Sequence, residues 1–331
     1  MIYEHAYEIV QDDIFLHLGG AVRHIDLYLK MEGLNPAGSI KLKTASSMVE
    51  DAERRGLLRP GSGIIESSSG SLGVALAMIC AAKGFRFLCV TDPNTPQQSV
   101  DIMRALGAEV VEVDSRDQSG GYLGSRIAYI RERLTLSRDL VWLNQYANPA
   151  NSAVHARCTA AAITAEFPRV DYLFVGTGTS GTLMGCIDHF RSASPETRIV
   201  AVDSAGSVNF DTAGPRYIPG IGASRRPELF RPELVDDVEL VAEADTVRTC
   251  RWLAQQHGLY AGGSTGSVVW AALRRAPEMS ERSCVVAVSP DLGDRYTRTI
   301  YDDGWVTGVF GTDCLKQGVT DGLNELTAAG I

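Results

Sequence analysis

Asn35-Pro36-Ala37-Gly38-Ser39-Ile40-Lys41 is a turn-forming run that ends in a lysine, just before the helix-like Thr44-Ala45-Ser46-Ser47-Met48-Val49-Glu50. The Asn-Pro and Gly-Ser pairs punctuate the backbone, which predicts Lys41 on the first turn of a helix. The positive end of the helix dipole disfavours an ammonium there and favours a neutral, nucleophilic amine. A lone lysine is most often a solvated surface residue. The weight of Lys41 therefore depends on what the rest of the chain builds around it.

Outward from this turn, short apolar runs alternate with helical segments. Leu27-Tyr28-Leu29-Lys30 precedes it. Strand-like runs follow at 63–66, 87–90, 109–113 and 141–143, separated by helical segments at 72–83, 97–106 and 124–134. A second series places a helix at 152–166, then strands at 172–175, 198–202, 238–241 and 284–288, with helices at 182–191, 244–257 and 267–276. This alternation is the signature of parallel βαβ units. The fold class is α/β with two sheet-centred units, and ligands are expected at the carboxyl ends of the strands and between the units.

Three glycine-rich turns lie between predicted strands and helices, where free backbone N–H groups build anion sites. Ser67-Ser68-Ser69-Gly70-Ser71-Leu72-Gly73 offers small hydroxyls at a helix start, suited to a carboxylate or to simple N-capping. Gly176-Thr177-Gly178-Thr179-Ser180-Gly181-Thr182 satisfies G-x-G-x-x-G, with Asp203 after the next strand where a ribose-binding acid would stand. A nicotinamide dinucleotide site is thus one reading. Four of the seven residues carry hydroxyls, however, which suits a terminal phosphate monoester, whereas a pyrophosphate needs bare backbone approach. Ala261-Gly262-Gly263-Ser264-Thr265-Gly266-Ser267 is the third turn. A nucleophilic lysine, a hydroxyl-rich phosphate cradle and a separate Gly-Ser turn together describe a cofactor with both an aldehyde and a phosphate, as pyridoxal phosphate has.

Size and composition narrow the remaining classes. The 331 residues favour two domains, and 45% hydrophobic with 21% charged residues describes a soluble globular chain. A net charge of -9 without a Lys/Arg cluster argues against nucleic acid or an anionic membrane as partner. The seven cysteines include no C-x-x-C pair and sit in apolar runs, so they read as core residues in a reducing compartment, with no metal site expected. The N-terminus shows no secretory pattern and no run reaches a membrane span, so a cytoplasmic location is expected.

The chain resembles the fold-type II pyridoxal-phosphate enzymes of the cysteine synthase and cystathionine β-synthase group, from about residue 15 to about residue 305. The matching segments follow in order: Asn35 to Lys41 resembles the Schiff-base lysine motif, Ser68-Ser69-Gly70-Ser71-Leu72-Gly73 the substrate-carboxylate loop, and Gln145-Tyr146-Ala147-Asn148-Pro149-Ala150-Asn151 the Gln-Phe-x-Asn-Pro-x-Asn segment. Gly176 to Thr182 is similar to the phosphate loop, Ser264 to the serine facing the pyridine nitrogen, and Pro290-Asp291-Leu292-Gly293-Asp294-Arg295-Tyr296 to the closing motif. Within the group, Ile218 to Arg225, Ala261 to Ser267, Gly120-Gly121-Tyr122-Leu123 and Asn144 to Asn148 resemble the branch that makes N-(2-amino-2-carboxyethyl)-L-glutamate from O-phospho-L-serine and L-glutamate, a precursor of 2,3-diaminopropionate in siderophores and peptide antibiotics. The chain departs from the pattern in two places: Leu42-Lys43 stands where Asp-Arg is usual, and Ser71 where the loop usually carries asparagine.

The resemblance implies a tryptophan synthase β-like architecture, with residues 1–40 and 146–331 forming a larger cofactor-phosphate domain and 41–145 a smaller mobile domain. It implies β-replacement on an O-activated serine, with Lys41 as Schiff-base lysine and general base. The cofactor would lie on Lys41, Ser71, Gly176, Thr177, Gly178, Thr179, Ser180, Thr182 and Ser264. The substrate would lie on Ser68, Ser69, Ser71 and Gln145, with Arg225 on the donor phosphate. His155 and Tyr217 are expected in core or surface roles. A homodimer is implied. The alternatives are a cysteine synthase or cystathionine β-synthase with a thiol acceptor, an NAD-dependent dehydrogenase, and a non-catalytic relative.

Overall fold

The computed structural model describes residues 2–21, 24–117, 121–316 and 318. Gly120, and residues 319–331 of the expected larger domain, lie outside these. Among the described residues the first half runs β1 (Phe15–His17), β2 (Ile25–Met31), α1 (Lys41–Arg54), β3 (Gly63–Ser67), α2 (Ser71–Lys83), β4 (Arg86–Thr91), α3 (Gln97–Ala105), β5 (Glu109–Glu112), α4 (Leu123–Leu136) and β6 (Leu140–Trp142). The second half opens with α5 (Pro149–Val154), a π-helical segment His155–Ala160, α6 (Ala161–Glu166), β7 (Tyr172–Gly176), α7 (Gly181–Ala193) and β8 (Arg198–Ser204). It closes with β9 (Asp237–Val241), α8 (Glu243–His257), α9 (Gly263–Arg275), β10 (Ser283–Ser289), α10 (Asp303–Phe310) and α11 (Asp313–Lys316).

The strands form two sheets. One has six strands in the order β1-β2-β10-β7-β8-β9, and the other four in the order β5-β4-β3-β6. All neighbours are parallel except β1 with β2. Strands buried on both faces read as continuous apolar runs, as Leu173-Phe174-Val175 and Val285-Val286-Ala287-Val288 do, all at most 1% exposed. The β2–β10 register pairs Ile25 with Ser283 and Met31 with Ser289. The chain therefore leaves both strands at the same edge, into the 33–40 turn and the 290–296 segment. The turns after β3 and β7 leave the carboxyl ends of their strands in the same way, which is where an α/β fold puts ligands.

The structure departs from the sequence expectations at three elements. β1 was not predicted, because three partly exposed residues carry no alternation of their own. The single helix expected at 152–166 contains the π-helical segment between α5 and α6. The helix expected from Ser267 begins at Gly263, so most of the third glycine turn is already helical. Gly266 marks a close helix crossing: a β-carbon there would collide with Cys250 of α8. Among the described residues no helix is long and apolar enough to cross a membrane.

Candidate active site

The 35–41 turn is held by its own first side chain. The Asn35 amide donates to the carbonyls of Glu32 (2.8 Å) and Ser39 (3.0 Å) and accepts from the Ala37 N–H (3.1 Å). The Ile40 N–H donates to Pro290 (2.8 Å), tying the turn to the segment after β10. Lys41 is the first residue of α1, and its Nζ donates to Thr179 Oγ1 at 3.4 Å. Burial with no offsetting carboxylate pulls its pKa from 10.5 down to about 8. Lys43, two residues on, is ion-paired with Glu32 (2.6 Å) and Asp12, and Lys30 joins the same Glu32 at 3.0 Å. Those carboxylates more than offset burial and push the Lys43 pKa up. One lysine thus presents an amine to the 176–182 turn, and the other is locked in a buried ion-pair network.

The 176–182 turn leads from β7 into α7. Ser180, buried and left-handed at φ 64°, is the N-cap residue of α7 but makes no side-chain cap bond, and among the described residues its Oγ has no hydrogen-bond partner. A non-glycine residue persists in that conformation only where its surroundings over-determine it. Thr179 Oγ1 receives the Lys41 ammonium and the Asn151 amide, the latter at 3.2 Å. Thr177, expected on the cofactor, is instead turned away: its hydroxyl (3.2 Å) and its N–H (2.8 Å) both donate to the Val202 carbonyl, because Thr177 still continues the β7–β8 ladder.

The 67–73 turn is organised differently. Ser68 Oγ accepts from the N–H groups of Gly70 (3.2 Å) and Gly73 (2.9 Å), Ser69 is exposed, and Ser71 opens α2. Gln145 is buried, its side chain donating to the Ser67 carbonyl (2.9 Å) and its carbonyl accepting from Asn151 (2.7 Å). Ser264 stands in the first turn of α9 beside Asp291, whose carboxyl is pushed up to about 6 by burial despite bonds from Tyr296 and Ser264. A β-carbon on Gly176 would lie 3.9 Å from that of Ser264. The serine therefore borders the phosphate-loop candidate.

The family of pyridoxal-phosphate dependent enzymes matches residues 15–291. This chain belongs to that family. It is 42% identical over 289 residues to an N-(2-amino-2-carboxyethyl)-L-glutamate synthase of Ralstonia nicotianae, covering 87% of this chain and 86% of that protein. It is also 42% identical over 289 residues to a synthase of the same name from Cupriavidus metallidurans, covering 86% and 85%. The crystal structure of an O-ureido-L-serine synthase superposes with a TM-score of 0.85 at 33% identity, over 93% of this chain and all of that one. The fold is that of a fold-type II pyridoxal-phosphate enzyme.

The residues present fit the cofactor of the family. A desolvated amine, the N-terminus of α7, the unpartnered Ser180 hydroxyl and a Thr179 hydroxyl already accepting twice are what an aldehyde and a phosphate need. The dinucleotide alternative lacks its two supports. Gly181 lies directly against Asn151, where a β-carbon would collide with the amide, so this glycine makes room for a side chain of α5. Asp203 is buried, and its carboxylate accepts from the Ser204 N–H at 2.9 Å, turned into its own loop.

The structure gives neighbours and possible roles to residues that sequence reasoning left without one. Arg126 of α4 is buried against Asp92 (3.4 Å), and among the described residues its Nε and Nη1 have no hydrogen-bond partner. It lies close enough to the half-buried Tyr146 to lower that phenol's pKa against the stronger rise from loss of water. Arg225 also acts on Tyr146, but it is exposed and paired with Glu228. Arg295 donates to Ser71 Oγ and to the Ala37 carbonyl, both at 2.5 Å, joining the 67–73 turn to the 35–41 turn. Arg126 carries no local motif, and the neighbours of Arg295 come from turns far off in sequence. His155 is fully buried and Tyr217 half-exposed.

Proposed function

We propose that this enzyme joins O-phospho-L-serine and L-glutamate into N-(2-amino-2-carboxyethyl)-L-glutamate, with release of phosphate, in a route to 2,3-diaminopropionate for a siderophore or peptide antibiotic. The α-proton leaves to Lys41 and the bond from the serine β-carbon to the phosphate oxygen breaks; the glutamate amine then forms the new bond at that carbon, losing a proton as one returns to the α-carbon. The observation that carries the reading is the likeness to two synthases of that product along almost the whole chain, with a Lys41 amine of lowered pKa at its centre.

Bound pyridoxal phosphate supplies an electron sink for negative charge at the substrate α-carbon. Lys41 carries the cofactor and, once freed, moves the α-proton through Nζ; a pKa near the working pH favours that transfer. The N–H groups of Gly176 and Gly178 and the hydroxyls of Thr179, Ser180 and Thr182 hold the phosphate at the start of α7, Thr177 being spent on the Val202 carbonyl. Ser264 meets the ring nitrogen as a neutral group. Ser68, Ser69 and Ser71 take the substrate carboxylate, with Gln145 beside them, and Ser71 also serves the cofactor. The donor phosphate requires a guanidinium. Arg126 has unpartnered N–H groups in depth, and Arg225 stands at the rim.

The larger domain comprises residues 1–40 and 146–331 and the smaller 41–145, whose movement against the larger excludes water from the reacting carbon. The two sheets, drawn from these spans, support that division. The enzyme works as a cytoplasmic homodimer.

Incubation of the purified protein with O-phospho-L-serine and L-glutamate should yield the product mass and one phosphate per product. Turnover with sulfide or homocysteine and none with glutamate would replace the acceptor by a thiol. A colourless protein that borohydride leaves unchanged would overturn the cofactor assignment.

A further inference from the structure

A row of buried polar side chains runs from Lys43 to the 176–182 turn, behind Lys41. Thr44, Asn151, His155 and Thr159 are all fully buried. Asn151, His155 and Thr159 recur every four residues, the last two within the π-helical segment. Such segments interrupt α-helices frequently at functional sites.

The direction of each hydrogen bond in the row follows from its ends. The Lys43 ammonium can only donate, and its Nζ lies 3.5 Å from Thr159 Oγ1, so that oxygen accepts. The Thr159 O–H is then available to His155 Nδ1 at 3.1 Å. A neutral imidazole that accepts at Nδ1 carries its proton on Nε2, which lies 3.1 Å from Thr44 Oγ1. The Thr44 O–H donates to Asn151 Oδ1 at 3.2 Å. The Asn151 amide is fixed independently, because its Nδ2 donates to the Gln145 carbonyl at 2.7 Å. The second Nδ2 hydrogen goes to Thr179 Oγ1 at 3.2 Å, where the Lys41 Nζ also donates at 3.4 Å. Thr179 then has one hydrogen left and, among the described residues, no protein group to receive it. Every link has the same polarity, from the buried Lys43 to the phosphate cradle.

We infer that Thr44 and His155 are positioning residues that orient Asn151 and thereby commit the Thr179 hydroxyl to donate to the cofactor phosphate. Bonds that run head to tail in this way polarise one another, and a low-dielectric interior strengthens them. His155 is held neutral, as the direction requires, by its burial and by the charges of Lys41 and Lys43, which bring its pKa well below the ordinary histidine value. The inference rests on the reading of the 176–182 turn as the phosphate site.

The test compares rebinding of pyridoxal phosphate and of pyridoxal, which lacks the phosphate, to the resolved enzyme. Thr44→Val keeps the shape of the side chain and removes the link between His155 and Asn151. It should weaken pyridoxal phosphate about tenfold and pyridoxal less than twofold, with Thr44→Ser restoring the affinity. Equal weakening of both aldehydes, or of neither, would overturn the inference while leaving the phosphate site intact. A wild-type enzyme that bound the two aldehydes equally would remove the phosphate site itself, and the inference with it. Should Thr44→Val fail to fold, nitrogen-15 NMR of histidine-labelled holoenzyme decides the point. His155 must show a protonated Nε2 and a bare Nδ1 at neutral pH, and the opposite tautomer or an imidazolium would refute the chain of donors.

Discussion

Lys41 and Lys43 begin the same helix two residues apart, yet they inhabit opposite electrostatic worlds. Lys41 has lost water and gained a hydroxyl, so its charge is disfavoured and its amine becomes available near neutral pH. Lys43 has lost water and gained Glu32 and Asp12, so its charge is held more firmly than in solution. Both are desolvated; what separates a reactive lysine from a structural one is the counter-charge. The difference also resolves the departure at Leu42-Lys43, since a second lysine beside the first does not compete for the aldehyde when its ammonium is pinned on the other side.

That contrast can be broken most directly by removing each lysine in turn. Lys41→Ala should lower turnover by at least about a thousandfold and abolish borohydride-trapped cofactor, with little change in thermal midpoint. Trapped cofactor persisting in that variant would move the chemistry to another lysine. Lys43→Met should leave trapping intact and cost about 3 kcal/mol of stability in urea unfolding, because Glu32 and Asp12 lose their shared cation while Lys30 still partners Glu32.

A pH series sharpens the same comparison. A lysine whose pKa lies below 10.5, at about 8, is protonated below that value and neutral above it. The rate of covalent cofactor capture by the resolved enzyme should therefore rise with pH and level off above about 8. A midpoint near 10.5 would assign capture to a solvated lysine. The smallest effects concern the two arginines near Tyr146. Arg126→Met should raise the KM for O-phospho-L-serine about tenfold, as loss of a buried charged donor does, and Arg225→Ala about threefold or less. The reverse ranking would make Arg225 the main phosphate contact.

The order of strands and helices was legible because the parallel strands are buried on both faces and so appear as apolar runs bounded by glycine turns. The positions of Lys41, the 176–182 turn and Ser264 at helix starts were legible because glycines flank each of them; the roles given to them are the ones proposed above. Arg126 was not, and Tyr146 and Arg295 were visible only as members of motifs without their contacts, because their neighbours are decided by strand order, which no local pattern encodes. The row behind Lys41 left a faint trace: Asn151, His155 and Thr159, spaced by four, form one polar stripe on the buried face of their helix. Its meaning depends on the π-helical turn and on Thr44 across the interface, neither of which periodicity reveals. The start of α9 was misplaced because its glycines mark a close helix crossing.

The reach of Arg295 has a consequence for how this chain folds. Its bonds to Ser71 and Ala37 close loops of 224 and 258 residues. Contacts that distant carry a large entropic cost until both sheets already stand, so they cannot belong to an early nucleus. The cleft is accordingly among the last parts of the molecule to assemble, and refolding chains should regain their backbone dichroism before they regain the ability to hold substrate.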